Sequence, residues 1–486
     1  MVLCFCTLDA GAQGPTEPRG AGIEALPPAP GPTAAVIEAY QRSLPGNVKV
    51  LRVSHEVLLL SLDDAIARGV RQNLQVLIAQ QNERRVRGLQ LTAVNALLPT
   101  LEAQAYTNTQ EINLAAMGFK PQSLGPLLSQ FGGSASTFST IVKVDVTSAQ
   151  INLSQQLFNV PAYFLYRAAQ RAQSVAGLET LNTLGDVTLM VGRQYLTVLA
   201  DAAQVTNARA QVVSDQVAFE QAQARQQAGV GVHLDTLRAQ VQLQSEQQTL
   251  ISAEDTYAKD KIQLNRFIGA AADQDYTLTD TAPYADLATL PQNITLEYAY
   301  TKRKDLLSLE SQMEVARQTA RAVRYERLPT VAAGGFYGVL GETHGLYHGV
   351  FTAQGSLNFA IFKEAQFRGE GEVAQAQLMA LRQQIRSLRA TIDEQIRSDM
   401  LDVQSSDDLV KVARSNVELS RQELADSLDR FKAGVTDNLP VVEAQGTLAT
   451  AESQLVQRLF QYNTAKLQLA RSVGVAATEY KSYLGH

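Results

Sequence analysis

Residue types that support chemistry are few in this chain, and their spacing does not suit it. His344 and His348 stand four apart, a spacing that binds metal when a helix fixes it, but they fall in a Gly-rich stretch between two strand-like segments. Cys4 and Cys6 both lie in the first six residues, so the body of the chain can build neither a zinc cluster nor a disulfide framework. Gly229-x-Gly231 is not followed by the Lys-Ser/Thr of a phosphate loop and reads as a tight turn. These residues predict no enzyme, no cofactor and no metal. Lys+Arg 42 against Asp+Glu 48, a net charge of −6, argues against a nucleic-acid-binding surface.

The elements around these residues are more informative. No apolar run approaches the ~18 residues of a transmembrane helix, which leaves open a β-barrel, whose strands leave a weaker trace. Residues 1–12 read as a residual signal-peptide-like segment, with an apolar stretch and a small-residue site at Ala10-Gly-Ala12. A lipid-anchored Cys6 is the sharper alternative, opposed by the bulk of Phe5. Residues 13–55 form a Pro-rich lead-in that cannot bury enough apolar surface to order itself.

The body is a duplication. Ser61-Leu-Asp-Asp-Ala-Ile66, Gln72-Asn-Leu74 and Leu98-Pro-Thr100 recur as Thr295-Leu-Glu-Tyr-Ala299, Lys304-Asp-Leu306 and Leu328-Pro-Thr330, an alignment that pairs Asn73 with Asp305. Further on, residues 228–269 match residues 433–474 without a gap, at 14 of 42 positions. We place the first repeat at 56–285, the second at 286–475 and a tail at 476–486. Each repeat reads as short helix, longer helix, two strands, very long helix, tight turn and long helix. Leu378, Leu381, Ile385, Leu388 and Ile392 step 3-4-3-4, a coiled-coil seam in a Pro-free run from Glu364 to Lys432. In the first repeat Val187, Val191, Tyr195 and Val198 share one face of the corresponding helix.

The strands show period-two alternation in Leu101 to Asn108, Ile141 to Leu157 and Phe351 to Ile361, and the partner of the last, Val331 to Leu340, is rich in Gly and aromatics. Alternation slips near Ser148–Gln150, where a bulge is expected. Four strands cannot close a barrel, so a membrane reading requires self-association. A small sheet packed on helices in a soluble protein is the alternative.

In this order, twice over, these signals resemble the TolC-like outer membrane efflux protein family, over about residues 56–475. The residues that carry the resemblance are the opening Ser61 to Ile66 with Asn73 and the Leu-Pro steps into the strands. To these are added the strand exits Gln156-Leu-Phe-Asn159 and Ala360-Ile-Phe-Lys363, and the turns Ala228-Gly-Val230 and Ala433-Gly-Val435. The resemblance implies a mainly α fold with inserted β: duplicated long-helix hairpins plus four strands, three chains forming a 12-stranded outer-membrane barrel on a periplasmic helical tunnel. It implies a passive exit duct in outer-membrane lipid, supplied by an inner-membrane pump and a periplasmic adaptor. The rival readings are a periplasmic coiled-coil adaptor or a scaffold without a pore. The resemblance also implies adaptor docking at the turns, Gly229, Val230 and Gly231 with Gly434, Val435 and Thr436. It marks Asp235 and Glu443 as candidates for a ring of carboxylates at the pore constriction. Their bland alternative is electrostatic favour at a helix start. Pro440 and Thr436 depart from the family pattern near that constriction. Strand connections 109–138 and 341–349 are expected outside the cell.

Overall fold

The computed structural model describes residues 57–116, 141–280, 295–343, 345–433, 435–436 and 439–484. The expected signal segment and lead-in, most of the first strand connection, His344, Gly434, Asp437 and Asn438 lie outside them.

The first half opens with β1 (Leu58–Leu60), α1 (Leu62–Gln72) and α2 (Leu74–Asn95). Then come β2 (Thr100–Asn113), β3 (Ile141–Phe158), α3 (Val160–Gln227), α4 (His233–Phe267) and β4 (Tyr276–Leu278). The second half runs α5 (Leu296–Lys302), α6 (Lys304–Tyr325), β5 (Thr330–Glu342), β6 (Tyr347–Asn358), α7 (Glu364–Lys432), α8 (Leu439–Val473) and α9 (Ala476–Leu484). The 68 and 69 residues of α3 and α7 make rods of about 100 Å at 1.5 Å per residue. Each is followed by a 35-residue return helix.

The sequence places these elements for local reasons. Ser61 and Thr295 cap α1 and α5 by accepting from Asp64 N and Tyr298 N, and Asn159 caps α3 by accepting from Ala162 N ahead of Pro161. The expected seam of α7 buries Ile385 and Ile392 and continues through Ile396, Val403, Val410 and Val417, with buried Asp399, Ser406 and Ala413 between them completing alternating steps of three and four. Val187, Val191, Tyr195 and Val198 are buried in the core at the middle of α3, together with α1, α9 and the short parallel pair β1–β4, which sequence reading did not find. Tyr195 Oη donates to Leu60 O and Asp280, while Tyr480 Oη reaches Asp63 at 2.6 Å and so docks α9.

The duplication is closed by a matched pair of latches. Asn73, between α1 and α2, accepts from Gln75 N and donates from Nδ2 to Phe267 O, at the end of α4. Arg303, between α5 and α6, donates from Nη1 to Ser472 O, the equivalent carbonyl of α8. It also grips Asp305 with two bonds of 2.9 and 2.6 Å. Burial pushes the Asp305 carboxyl up, but the Arg303 guanidinium outweighs it and holds Asp305 below the usual carboxylate range. The structural partner of Asn73 is therefore Arg303, not Asp305. The sequence alignment was two residues out of step because it matched residue types, whereas caps and burial match Val76 with Leu306.

Each latch needs a glycine. Gly269 and Gly474 end the return helices at φ +67° and +91°, a region L side chains rarely adopt. A Cβ on Gly474 would stand 2.8 Å from Arg303 N, and one on Gly269 would stand 2.7 Å from Gln72 Cβ. Gly229 has φ +73° but faces open space. We expect Gly474→Ala to cost about 1–2 kcal/mol of strain plus about 1–3 kcal/mol of steric conflict, and Gly229→Ala the strain alone. Thermal unfolding midpoints should rank wild type, then Gly229→Ala, then Gly474→Ala; equal midpoints for the two variants would refute the latch.

Candidate functional site

Two regions offer surfaces that a helical scaffold alone does not explain: the sheet at one end and the hairpin turns at the other. The sheet is antiparallel in the order β2-β3-β5-β6. Residues directly opposite share a face, so register gives the rows. Leu101, Leu153, Gly335 and Ala353 form one row; Ala103, Ile151, Tyr337 and Phe351 the next; Ala105, Ala149, Val339 and Gly349 a third. This apolar face points outward, with Tyr337 70% and Phe351 77% exposed. The opposite face carries Glu102, Gln104, Asn152, Gln150 and Gln354, and its Ser148 is only 1% exposed. A soluble sheet buries its apolar face, and this one leaves it exposed.

The alternation slip in β3 is not a bulge. Pairing with β2 runs unbroken from Thr100↔Ser154 to Asn113↔Ile141, and the single irregularity against β5 falls at Gln156/Phe158. Instead, the apolar residues change face. Beyond a trio of threonine hydroxyls, Thr107, Thr147 and Thr343, linked at 3.0 Å, Val142, Val144 and Val146 lie on the formerly polar side. Glu111, Lys143, Thr109 and Asp145 take the outer face there. The backbone is regular; what changes is which face carries the apolar side chains. The β5–β6 connection is also tighter than expected: β5 reaches Glu342 and β6 starts at Tyr347, so His348 is a strand residue rather than part of a loop.

At the far end, the turn after α3 closes with paired bonds, Val230 N to Arg225 O and Gly229 N to Gln226 O, both 3.0 Å. The second turn repeats the first of these as Val435 N to Arg430 O. Val230, Val232 and Val435 are exposed at the tips. Arg225 lays its guanidinium over Phe431, 4.2 Å from the ring centroid, which ties the end of α3 to the end of α7. A cleft of about 450 Å³ opens beside this contact, lined by Val217, Val230, Thr436, Val441, Gln445 and Asp235. Asp235 is half-buried, 3.9 Å from Arg238. Glu443 is exposed and lines a different cleft, with Glu423 and Asn416. Within one chain the two candidate carboxylates therefore do not meet. Gly229, Val230, Gly231, Val435 and Thr436 all occupy the tips, and Gly434 lies outside the described residues. The Arg225–Phe431 contact was missed in the sequence because its partners are 206 residues apart; a cation and an aromatic at near-equivalent turn positions was the available signal.

The chain carries no Trp, so Phe431→Trp supplies a lone fluorophore on which the cation–π contact should persist. We expect Arg225→Ala in that background to shift its emission to the red as water reaches the ring. An unchanged spectrum would mean that the guanidinium does not cover position 431.

The sequence profile of the outer membrane efflux protein family matches residues 92–270 and 296–475. The alkaline protease secretion protein AprF of Pseudomonas aeruginosa is 24% identical over 340 residues, covering 67% of this chain and 69% of that protein. A membrane protein from Pseudomonas aeruginosa superposes with a TM-score of 0.73 at 16% identity, covering 85% of this chain and 93% of the other. The Campylobacter jejuni CmeC outer membrane channel does so with a TM-score of 0.73 at 12% identity, covering 85% and 86%.

Proposed function

The chain belongs to the outer membrane efflux protein family, and on that premise we propose that three copies close their sheets into one 12-stranded barrel, with the hairpins forming a tunnel below it. The observation that carries this reading is the exposed apolar face on a sheet whose edges, β2 and β6, are unpaired among the described residues. From Leu357 to Tyr347 the apolar face runs along eleven residues of β6, about 34 Å of strand. At a tilt of ~40° that is about 26 Å of height, the band a membrane barrel presents to lipid. The regular strand beyond the threonine trio then stands outside the lipid, which accounts for its charged outer face.

The protein works as a passive exit duct in the bacterial outer membrane, its helical tunnel reaching into the periplasm. Rods of about 100 Å and a polar inner face suit such a duct. An adaptor or a scaffold without a pore has no use for the outward Tyr337 and Phe351. An inner-membrane pump and a periplasmic adaptor are the partners this reading needs. The exposed valines of the two turns, with Gly229, Gly231, Gly434 and Thr436, form the docking surface for the adaptor. AprF is named for secretion of alkaline protease, and export of protein cargo is accordingly one use of such a duct beside efflux of small molecules. Without boiling, an SDS extract of membranes should run as a trimer and collapse to monomer on heating. A monomer before heating would overturn the closed barrel.

Asp235 and Glu443 act at the tunnel mouth in this reading, three copies of each drawing cations by their summed charge. Because the two line separate clefts of one chain, their effects should add rather than depend on each other. In planar bilayers Asp235→Asn and Glu443→Gln should each lower cation selectivity, and the double variant should lower it by the sum. Selectivity unchanged in all three would return both carboxylates to ordinary positions near helix starts.

A further inference from the structure

The two long hairpins are near-copies, and along one seam they differ in chemistry. On the first hairpin Asp201 of α3 lies against Asp260 of α4, and Asp215 of α3 feels the charge of Glu246 of α4, in a helix register that the Arg209–Glu254 ion pair, 2.6 Å, marks between them. The pairs are fourteen residues apart on each helix and run in opposite directions, so they are two rungs of one antiparallel seam, two heptads apart. The neighbouring rungs of that register are small: Ala208 with Ala253, and Ala222 with Ala239. One heptad up, Gln194 donates to Asp260 Oδ1 at 3.0 Å. Asp201 and Asp215 each keep one buried carboxylate oxygen without a hydrogen-bond partner, and Asp215 is 2% exposed.

The second hairpin supplies an internal comparison. At the same rungs, 205 residues on, it carries Ser406 with Ala465 and Ser420 with Ala451. Where Gln194 stands in the first hairpin it has Asp399, which accepts from a hydroxyl, Ser472, and not from another acid. Burial, helped by the Asp402 charge on the same helix, raises Asp399 against the lowering effect of Ser472 and Arg303, but at the two matching rungs the same backbone seam packs serine on alanine.

Two carboxylates that face each other in a half-buried seam cannot both ionise cheaply. Burial, then the hydrogen bond with Asp260, pushes Asp201 up to about 7. Burial, then the Glu246 charge, pushes Asp215 up to about 6 against the lowering effect of Gln211 and Gln242. Burial raises Glu246 as well. Nearby cations are engaged elsewhere: Arg209 with Glu254, Lys259 with Asp255, Lys261 with Asp275. On α8, which packs against α3, Glu452 holds Arg421 and Arg458 bonds Gln461.

We infer that protons held at these two rungs clamp the first hairpin, that it loosens there as pH rises through neutrality, and that the matching rungs of the second hairpin do not respond. The sign follows from linkage. Folded-state values lie above those of an unfolded chain, so the stabilisation is full below about pH 4 and is lost as pH rises through about 6 to 7. The lower rung is twelve residues from the end of α3, about 18 Å from the tip, so the loosening acts on the tip itself.

Hydrogen exchange of the full-length protein in detergent, at pH 6 and pH 8 and corrected for intrinsic exchange, tests this directly. Peptides within 201–260 should lose about tenfold in protection at pH 8, the equivalent of about one pK unit, while those within 406–465 hold theirs. A variant carrying Asp201→Ser, Asp260→Ala, Asp215→Ser and Glu246→Ala copies the second hairpin and should show no such response. Asp201→Asn with Asp215→Asn mimics the protonated acids and should keep the pH 6 protection at pH 8, which decides the matter should the fourfold variant fail to assemble. An equal response of both hairpins in the wild type, or a response that survives in either variant, would overturn the inference.

Discussion

A peptide group in hydrocarbon has no water to bond, so every N–H and C=O left on a sheet edge in lipid costs several kcal/mol. Among the described residues, β2 and β6 each present such an edge, over 14 and 12 residues. The outward apolar face commits the sheet to lipid, and the open edges then commit the chain to copies of itself. Twist and tilt set the rest: strands long enough to cross the apolar band leave it at the threonine trio, and their other ends turn directly into helices. Family membership and sheet geometry thus converge from independent directions, one from residue identities and the other from the hydrogen-bond inventory of the backbone.

Closing a barrel from repeated units requires that the helices beneath each sheet segment enter in register. The matched latches meet that requirement. Asn73 and Arg303 differ in size, charge and hydrogen-bonding capacity, yet both bond the carbonyl at the same position of the return helix. In both halves a left-handed glycine two residues later lets the chain pass against the junction. The amide cap of the first half needs no counter-charge, whereas the guanidinium of the second requires Asp305, and the buried pair is complete only with Gln395 and Ser472 O. The repeat conserves a contact between backbones while its side chains have changed chemistry.

How much of this was legible in the sequence follows from the range of each interaction. Helix spans were readable because caps, prolines and 3-4 spacing are local: α7 begins at Glu364 and ends at Lys432, as its composition indicates. Three of the sheet strands were readable from alternation and β5 from its glycines and aromatics beside β6, but β1 and β4 were not, since three-residue strands carry no period. The parity change in β3 was visible as a slip, and its cause was not, because a sequence records which residues are apolar and not where the lipid stops. The tips were located by their glycines. The Arg225–Phe431 tie and the acid rungs were hidden for the opposite reason: they join residues tens to hundreds of positions apart, whose individual types are ordinary on helices.

The return helices α4 and α8 have the same length, 35 residues, so in an assembly of three chains six hairpin ends come level. Geometry alone would make that rim nearly sixfold. The seam chemistry does not follow: acid rungs occupy every second hairpin, and Ser–Ala rungs the others. A change of acidity would then act as a threefold perturbation on a sixfold frame, softening alternate staves and leaving the intervening ones stiff. Duplication within one gene is what permits this, because two hairpins that a homohexamer would force to be identical are free here to diverge in mechanical response.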